Sequence, residues 1–245
     1  MRTDRYLTLL RADGELLAGA ATRDLDAAVP PCPGWLVRDV VTHTAEVYEH
    51  KLACIRLRAA PQPWPPAHWP GAADPIGWFT DAHRRMLDVL NSTDPATPAY
   101  TWWPADQTVG FWVRRMAQET AMHRVDAQSA FDSVTPVDAD LAADGVDEVL
   151  NVMLAGDWSE APIEVAGSGQ RVEVSTAGQS WLVTLQAEAV TVGRTDGTVA
   201  DATVSGPPSE LLLWMWGRAP DTVVDVAGDR TASGLLRERL ALATG

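Results

Sequence analysis

The stretch Gln118-Glu119-Thr120-Ala121-Met122-His123-Arg124-Val125-Asp126 decides how this chain is read. Glu119 and His123 stand four residues apart, and no glycine or proline interrupts residues 111–131. The spacing predicts one helix that carries both on a face shared with Trp112, Met116, Ala127 and Ala130. A carboxylate and an imidazole on such a face are costly to bury unless something engages them, and a divalent metal is the usual occupant. His43 continues the series Leu36, Val40, His43, Val47 and Leu52, so it too points inward from a helix. Two histidines and one glutamate make the three-ligand set of a catalytic zinc site, with a position left for water or substrate.

Plainer readings stand beside this one. His43 alone fits a hydrogen-bonded core histidine, and Glu119 with His123 fits an i, i+4 helix pair worth about 0.2–0.5 kcal/mol. His83 lies on the stripe Phe79, His83, Met86 and Leu90 and competes as a ligand. His50 is two turns from His43, and His68 falls in a loop. Asp126, one turn beyond His123, can orient that imidazole, as metal-binding histidines require; otherwise it is an exposed carboxylate or pairs with Arg124. Arg114, Arg115, Arg124 and Arg218 are candidate anion clamps. Arg218 is favoured at the substrate because it follows the helix of Trp214 and Trp216.

The 245 residues fit one large or two modest domains, and 46% hydrophobic with 21% charged residues describes a globular chain. Met1-Arg2-Thr3-Asp4-Arg5 meets charge before any apolar run, and no uncharged stretch reaches membrane-spanning length, so a cytoplasmic protein is expected. The net charge of −14 argues against nucleic acid and anionic membranes as partners. Cys32 and Cys54 are too few for a disulfide framework and read as reduced thiols. Lys51 is the single lysine, and this arginine bias with high alanine content suggests a GC-rich genome. Eleven tryptophans include Trp64, Trp69, Trp102 and Trp103 in Pro-rich connections, where a core role explains them poorly.

Helical periodicity runs over residues 5–22, 36–59, 76–91 and 111–131, with an amphipathic segment at 138–155. That predicts an antiparallel four-helix bundle with an extra helix, residues 1–156. Beyond Gly156 the pattern alternates: Val172 and Val174, then Trp181, Val183 and Leu185, then Val190 and Val192. Gly206-Pro207-Pro208-Ser209 stops a strand and caps a helix over 210–216; a strand at 222–226 and a helix at 232–243 follow. A small α+β domain is therefore expected over 160–245.

Cys32-Pro33-Gly34-Trp35 leading to His43, then Glu119-x-x-x-His123-Arg124-x-Asp126, then Leu212-Leu213-Trp214-Met215-Trp216-Gly217-Arg218 together resemble the mycothiol-dependent maleylpyruvate isomerase family. The resemblance covers essentially the whole chain. It implies a DinB-like metal-binding four-helix bundle followed by a sterol-carrier-protein-like α+β domain, with His43, Glu119 and His123 as metal ligands. Leu36 departs from the threonine or serine often found there, which removes a good N-cap and leaves the ligands intact. The family implies mycothiol, a thiol of actinobacteria, as cofactor or co-substrate, and a small electrophile as the other partner.

A free thiol of pKa about 8.5 is mostly unreactive at neutral pH, and zinc coordination deprotonates it. The implied chemistry is thiolate addition to a cis double bond, rotation and departure in an isomerase, or retained attachment in an S-transferase. Trp102 and Trp103 are then candidates for stacking on the sugar portion of the thiol, with Arg124 beside them as cofactor-binding; loop packing is the alternative for the tryptophans. Arg218 and Asp126 would serve the reaction. Two other readings remain open: a hydrolase in which the metal activates water, and a non-catalytic metal-binding stress-response module. Zinc is preferred among the divalent metals that nitrogen and oxygen ligands accept.

Overall fold

The computed structural model describes residues 1–65, 73–164, 166–195 and 197–244; His68 and Trp69 lie outside the described residues. By internal packing the chain divides into two compact units, Met1–Thr135 and Pro136–Gly245.

The first unit is built on α1 (Thr3–Ala21), α2 (Val37–Leu57), α3 (Pro75–Ser92) and α4 (Val109–Ser129). α1 packs along α4 and α3, and α2 packs along α3 and α4. Each helix thus buries its apolar stripe against two neighbours, and the stripes meet in one core. Leu10, Leu17, Val40, Val41, Phe79, Met86, Leu90, Trp112 and Met116 are almost wholly buried there; such side chains contribute about 1.5–3 kcal/mol each. The helix starts follow from local chemistry. Asp74 accepts from the Gly77 N–H at 2.9 Å, with Pro75 in the first turn of α3. Leu36 cannot cap α2, but the Asp39 carboxylate accepts from the Leu36 N–H at 2.8 Å, which supplies half of a capping box.

Polar groups inside the bundle are tied across helices. The Tyr48 and Thr120 hydroxyls bond to each other, joining α2 to α4. His83 bonds through Nε2 to the Leu10 carbonyl at 3.0 Å and stacks on Phe79 and Tyr48. A Cβ at position 14 would lie 2.3 Å from His83 Nε2, so α1 needs a glycine where the imidazole crosses it. His83 is therefore a core histidine, and the reading that made it a competing ligand is corrected. Trp112, buried at the start of α4, donates from Nε1 to the Tyr100 carbonyl at 3.0 Å.

The second unit opens with α5 (Ala139–Glu148), which runs into a π-helical turn at Val149–Leu154. Its strands are β1 (Gly156–Asp157), β2 (Gln170–Thr176), β3 (Gln179–Leu185), β4 (Ala189–Arg194), β5 (Ala202–Ser205) and β6 (Asp225–Gly228), in spatial order β1-β4-β3-β2-β5-β6. β2 and β5 run parallel and the other neighbours antiparallel. Val172, Val174, Trp181, Val183, Leu185 and Val204 are buried on one face, while their sequence neighbours are half-buried, as the period-two pattern predicts. α6 (Pro208–Met215) packs on α5, and α7 (Arg230–Thr244) packs on β2, β5 and the π-helical turn. Trp181 donates from Nε1 to Asp147 Oδ1 at 2.9 Å, pinning the sheet to α5.

The predicted bundle boundary at residue 156 is corrected by this packing. α5 buries Leu141, Ala142 and Val146 in the second unit, so the division falls after Thr135. Periodicity reports that a helix has an apolar face and says nothing of which neighbour covers it. Ser209 also differs from expectation: its hydroxyl accepts from the Val137 N–H at 3.0 Å.

Candidate metal centre

α2 and α4 bring His43, Glu119 and His123 together. One donor atom from each lies within 4.8 Å of the other two. His123 Nε2 is 3.1 Å and His43 Nε2 3.7 Å from the same oxygen, Glu119 Oε1. The second carboxylate oxygen, Oε2, takes a charge-assisted bond from the buried Arg115 guanidinium, one turn earlier on α4. The side chains of Glu119 and His123 are 13% and 12% exposed, whereas His43 is 39% exposed, so the cluster opens toward solvent on the His43 side.

Asp126, fully buried, lies with Oδ2 3.1 Å from His123 Nδ1. An Nδ1–H donated to this carboxylate leaves Nε2 as the ligating nitrogen, facing Glu119. The exposed-carboxylate reading of Asp126 is therefore replaced by an orienting one. Asp126→Asn is expected to lower metal affinity by about 10–100-fold with little change in fold, measured by competition against a chromogenic chelator. Unchanged affinity would leave Asp126 a packing residue only.

The charges are strongly coupled. Burial alone would raise the Glu119 carboxyl, but the Arg115 guanidinium and the imidazoles of His123 and His43 hold it well below the usual range. Burial alone would lower His123, yet the Glu119 charge and the bonds to Asp126 and Glu119 push it up to about 9. The donor set therefore fits a divalent cation, which would take the place of that proton between the same ligands.

Trp35 closes one side. Cys32-Pro33-Gly34-Trp35 forms a tight turn, with the Trp35 N–H donating to the Cys32 carbonyl at 2.9 Å and Gly34 at φ +86°. The indole then lies with its centroid 5.2 Å from His43 and 6.5 Å from His123. In the sequence the tetrapeptide is legible as a motif but gives Trp35 no role; only its proximity to His43 hints at one. The ion pair of Arg115 with Glu119 was signalled by their i, i+4 spacing.

The other expected site residues separate. Trp102, 43% exposed, packs edge-on against Phe111 and Trp112. Lys51 Nζ lies 5.4 Å from the Trp102 ring centroid and 5.2 Å from that of Trp112. Trp103 lies 6.0 Å from Phe111 in the same loop. Arg124, expected to bind cofactor, is 1% exposed. It donates from Nε to Asp13 at 3.0 Å, and from Nη1 to Gln128 and to the Thr135 carbonyl. That reading is corrected, because the guanidinium faces the interior and ties α4 to α1. Arg218, in the second unit, donates to the Trp216 carbonyl at 2.7 Å and lies over the Trp216 ring. A separate cavity of about 790 Å³ lies between α2 and α3, lined by Leu52, Arg56, Trp64, Arg85 and Val89, and does not include His43, Glu119 or His123. No helix among the described residues is long and apolar enough to cross a membrane.

Comparison with known proteins follows the same division. The mycothiol maleylpyruvate isomerase N-terminal domain matches residues 8–128, and the C-terminal domain of the same family matches residues 140–234. The crystal structure of the mycothiol-dependent maleylpyruvate isomerase aligns with 93% of this chain and 93% of its own, at 14% identity and a TM-score of 0.58. A histidine-to-alanine mutant of that enzyme aligns over 93% of both chains at 13% identity and a TM-score of 0.56. At these identities the likeness is one of fold. A UbiJ-SCP2 ubiquinone synthesis protein aligns with 42% of this chain and 92% of its own, at 21% identity and a TM-score of 0.32. No curated protein matches the chain. With one family's two domain models laid end to end over both units, the chain is an enzyme of the mycothiol maleylpyruvate isomerase family.

Proposed function

We propose that this protein is a thiol-dependent isomerase or S-transferase acting on a small anionic electrophile, with mycothiol as the thiol and a divalent metal, zinc by preference, held by His43, Glu119 and His123. The observation that carries the reading is the convergence of three donor atoms within 4.8 Å on a partly open cluster. When bound, the metal would supply a Lewis acid that keeps a thiol deprotonated at neutral pH. The protein's own residues do the rest. Asp126 fixes the His123 tautomer, and Arg115 holds the Glu119 carboxylate in its charged form. Trp35 shields one side of the two imidazoles from water. We assign Trp102 to the non-reacting portion of the thiol, with Trp103 supporting its loop, and Arg218 to the substrate's negative charge.

A hydrolase would need a base beside the metal. Glu119 is itself a ligand candidate, and Asp126 is engaged with His123, so the thiol reading is favoured. Cobalt-substituted protein tests it. Adding mycothiol is expected to produce a sulfur-to-metal charge-transfer band, and turnover of a reactive cis-alkene should require the thiol. Arg218→Ala should then slow turnover of an anionic substrate while metal content stays constant. Ester hydrolysis without thiol, together with no such band for mycothiol, glutathione or cysteine, would replace this reading with the hydrolase.

A further inference from the structure

Lys51 stands two turns after His43 on α2 and is the chain's single lysine. Its ammonium lies against the rings of Trp112 and Trp102, 5.2 and 5.4 Å from their centroids, and donates to His50 Nδ1 at 3.1 Å. Neither nearby titratable partner supplies a negative charge. Burial and the Lys51 charge push His50 down to about 4, so it is neutral at physiological pH. The Cys54 thiol, 3.5 Å from His50 Nδ1, is pushed up by burial and stays protonated. Glu119 is close enough to be felt electrostatically at Lys51, as is Arg115. The Glu119 oxygens, however, are engaged by Arg115, His123 and His43. Among the described residues no carboxylate forms an ion pair with Lys51.

We propose that Lys51, flanked by Trp102 and Trp112, is the anchor for a carboxylate of the substrate beside the metal centre. A largely buried ammonium without a counter-ion is costly, and an anionic ligand resolves that cost. The aromatic faces stabilise the cation while the anion is absent and exclude water when it arrives. The anchor deepens the thiol-isomerase reading and rests on it for the identity of the substrate class.

Maleate serves as the probe, with the metal-loaded full chain and titration calorimetry as the readout. Lys51→Met is expected to weaken maleate binding by about 10–100-fold, as loss of a charged hydrogen bond does, with metal content and unfolding midpoint unchanged. Lys51→Arg should retain most of the binding. In thiol-dependent turnover Lys51→Met should raise KM for an anionic cis-alkene by a similar factor and leave kcat and the turnover of dimethyl maleate nearly unchanged. Should Lys51→Met fold poorly, Lys51→Gln replaces it. Maleate bound equally by wild type and variant, or by neither, overturns the proposal. Calorimetry needs neither thiol nor turnover, so absence of thiol-dependent activity would count against the isomerase reading and not against the anchor.

Discussion

Replacing His123 with alanine is expected to take the protein from about one bound divalent ion per chain to almost none, and thiol-dependent turnover should fall by more than about 100-fold, the upper end of what losing a mere supporting partner costs. His43→Ala and Glu119→Gln should do the same, because the three donors converge on one point. The fold should survive in the His123 variant, since Glu119 keeps its ion pair with Arg115. The pH dependence follows from the metal-free charge state. His123 there holds its proton up to about pH 9, so the metal must displace that proton at any lower pH. Apparent affinity should therefore rise by up to about tenfold per pH unit below pH 9 and then level off. Elemental analysis and chelator competition at several pH values check both statements. Full metal occupancy in a folded His123→Ala or His43→Ala protein would mean that the ligands lie elsewhere.

Arg124→Met should unfold the first unit far more readily without touching the chemistry directly. The change removes a fully enclosed guanidinium from Asp13, Gln128 and Thr135, and it leaves the Asp13 carboxylate buried without this cation. Breaking such a pair costs about 3–5 kcal/mol, a large share of a domain's total stability of about 5–15 kcal/mol. The double variant Asp13→Leu with Arg124→Met should recover most of the loss, because removing both charges removes the penalty. Thermal or urea unfolding of the four proteins forms the cycle. An Arg124→Met protein of unchanged stability that has lost thiol binding would return Arg124 to the cofactor.

The convergence of His43, Glu119 and His123 was legible in the sequence because a helix face is a one-dimensional pattern: His43 and the Glu119/His123 pair fall at the spacing of their apolar neighbours. What the pattern could not show was rotation within a face. Arg124 is one residue from His123, yet that step of about 100° turns it from the cluster to Asp13. His83 had the same apolar neighbours as a ligand would, and only the position of α1, with Gly14 beneath the ring, makes it a core residue. Lys51 and Trp35 carried no spacing signal of their own, since the groups that give them meaning come from other elements. The apolar face of α5 is legible in the sequence, but α6, the neighbour that covers it, is not.

α4 supplies Arg115, Glu119, His123 and Asp126 to the cluster on one side and Arg124 and Gln128 to the bundle's internal ties on another, with nearly its whole length buried. Its amide protons have no local route to solvent and should exchange only when the entire first unit opens. Backbone exchange in α4 would thus report the global stability of the unit, and added metal would slow it by whatever free energy the ion contributes. The Trp35 turn, which lies against His43 and His123 at the open side of the cluster, should exchange its amides orders of magnitude sooner than the residues flanking Glu119.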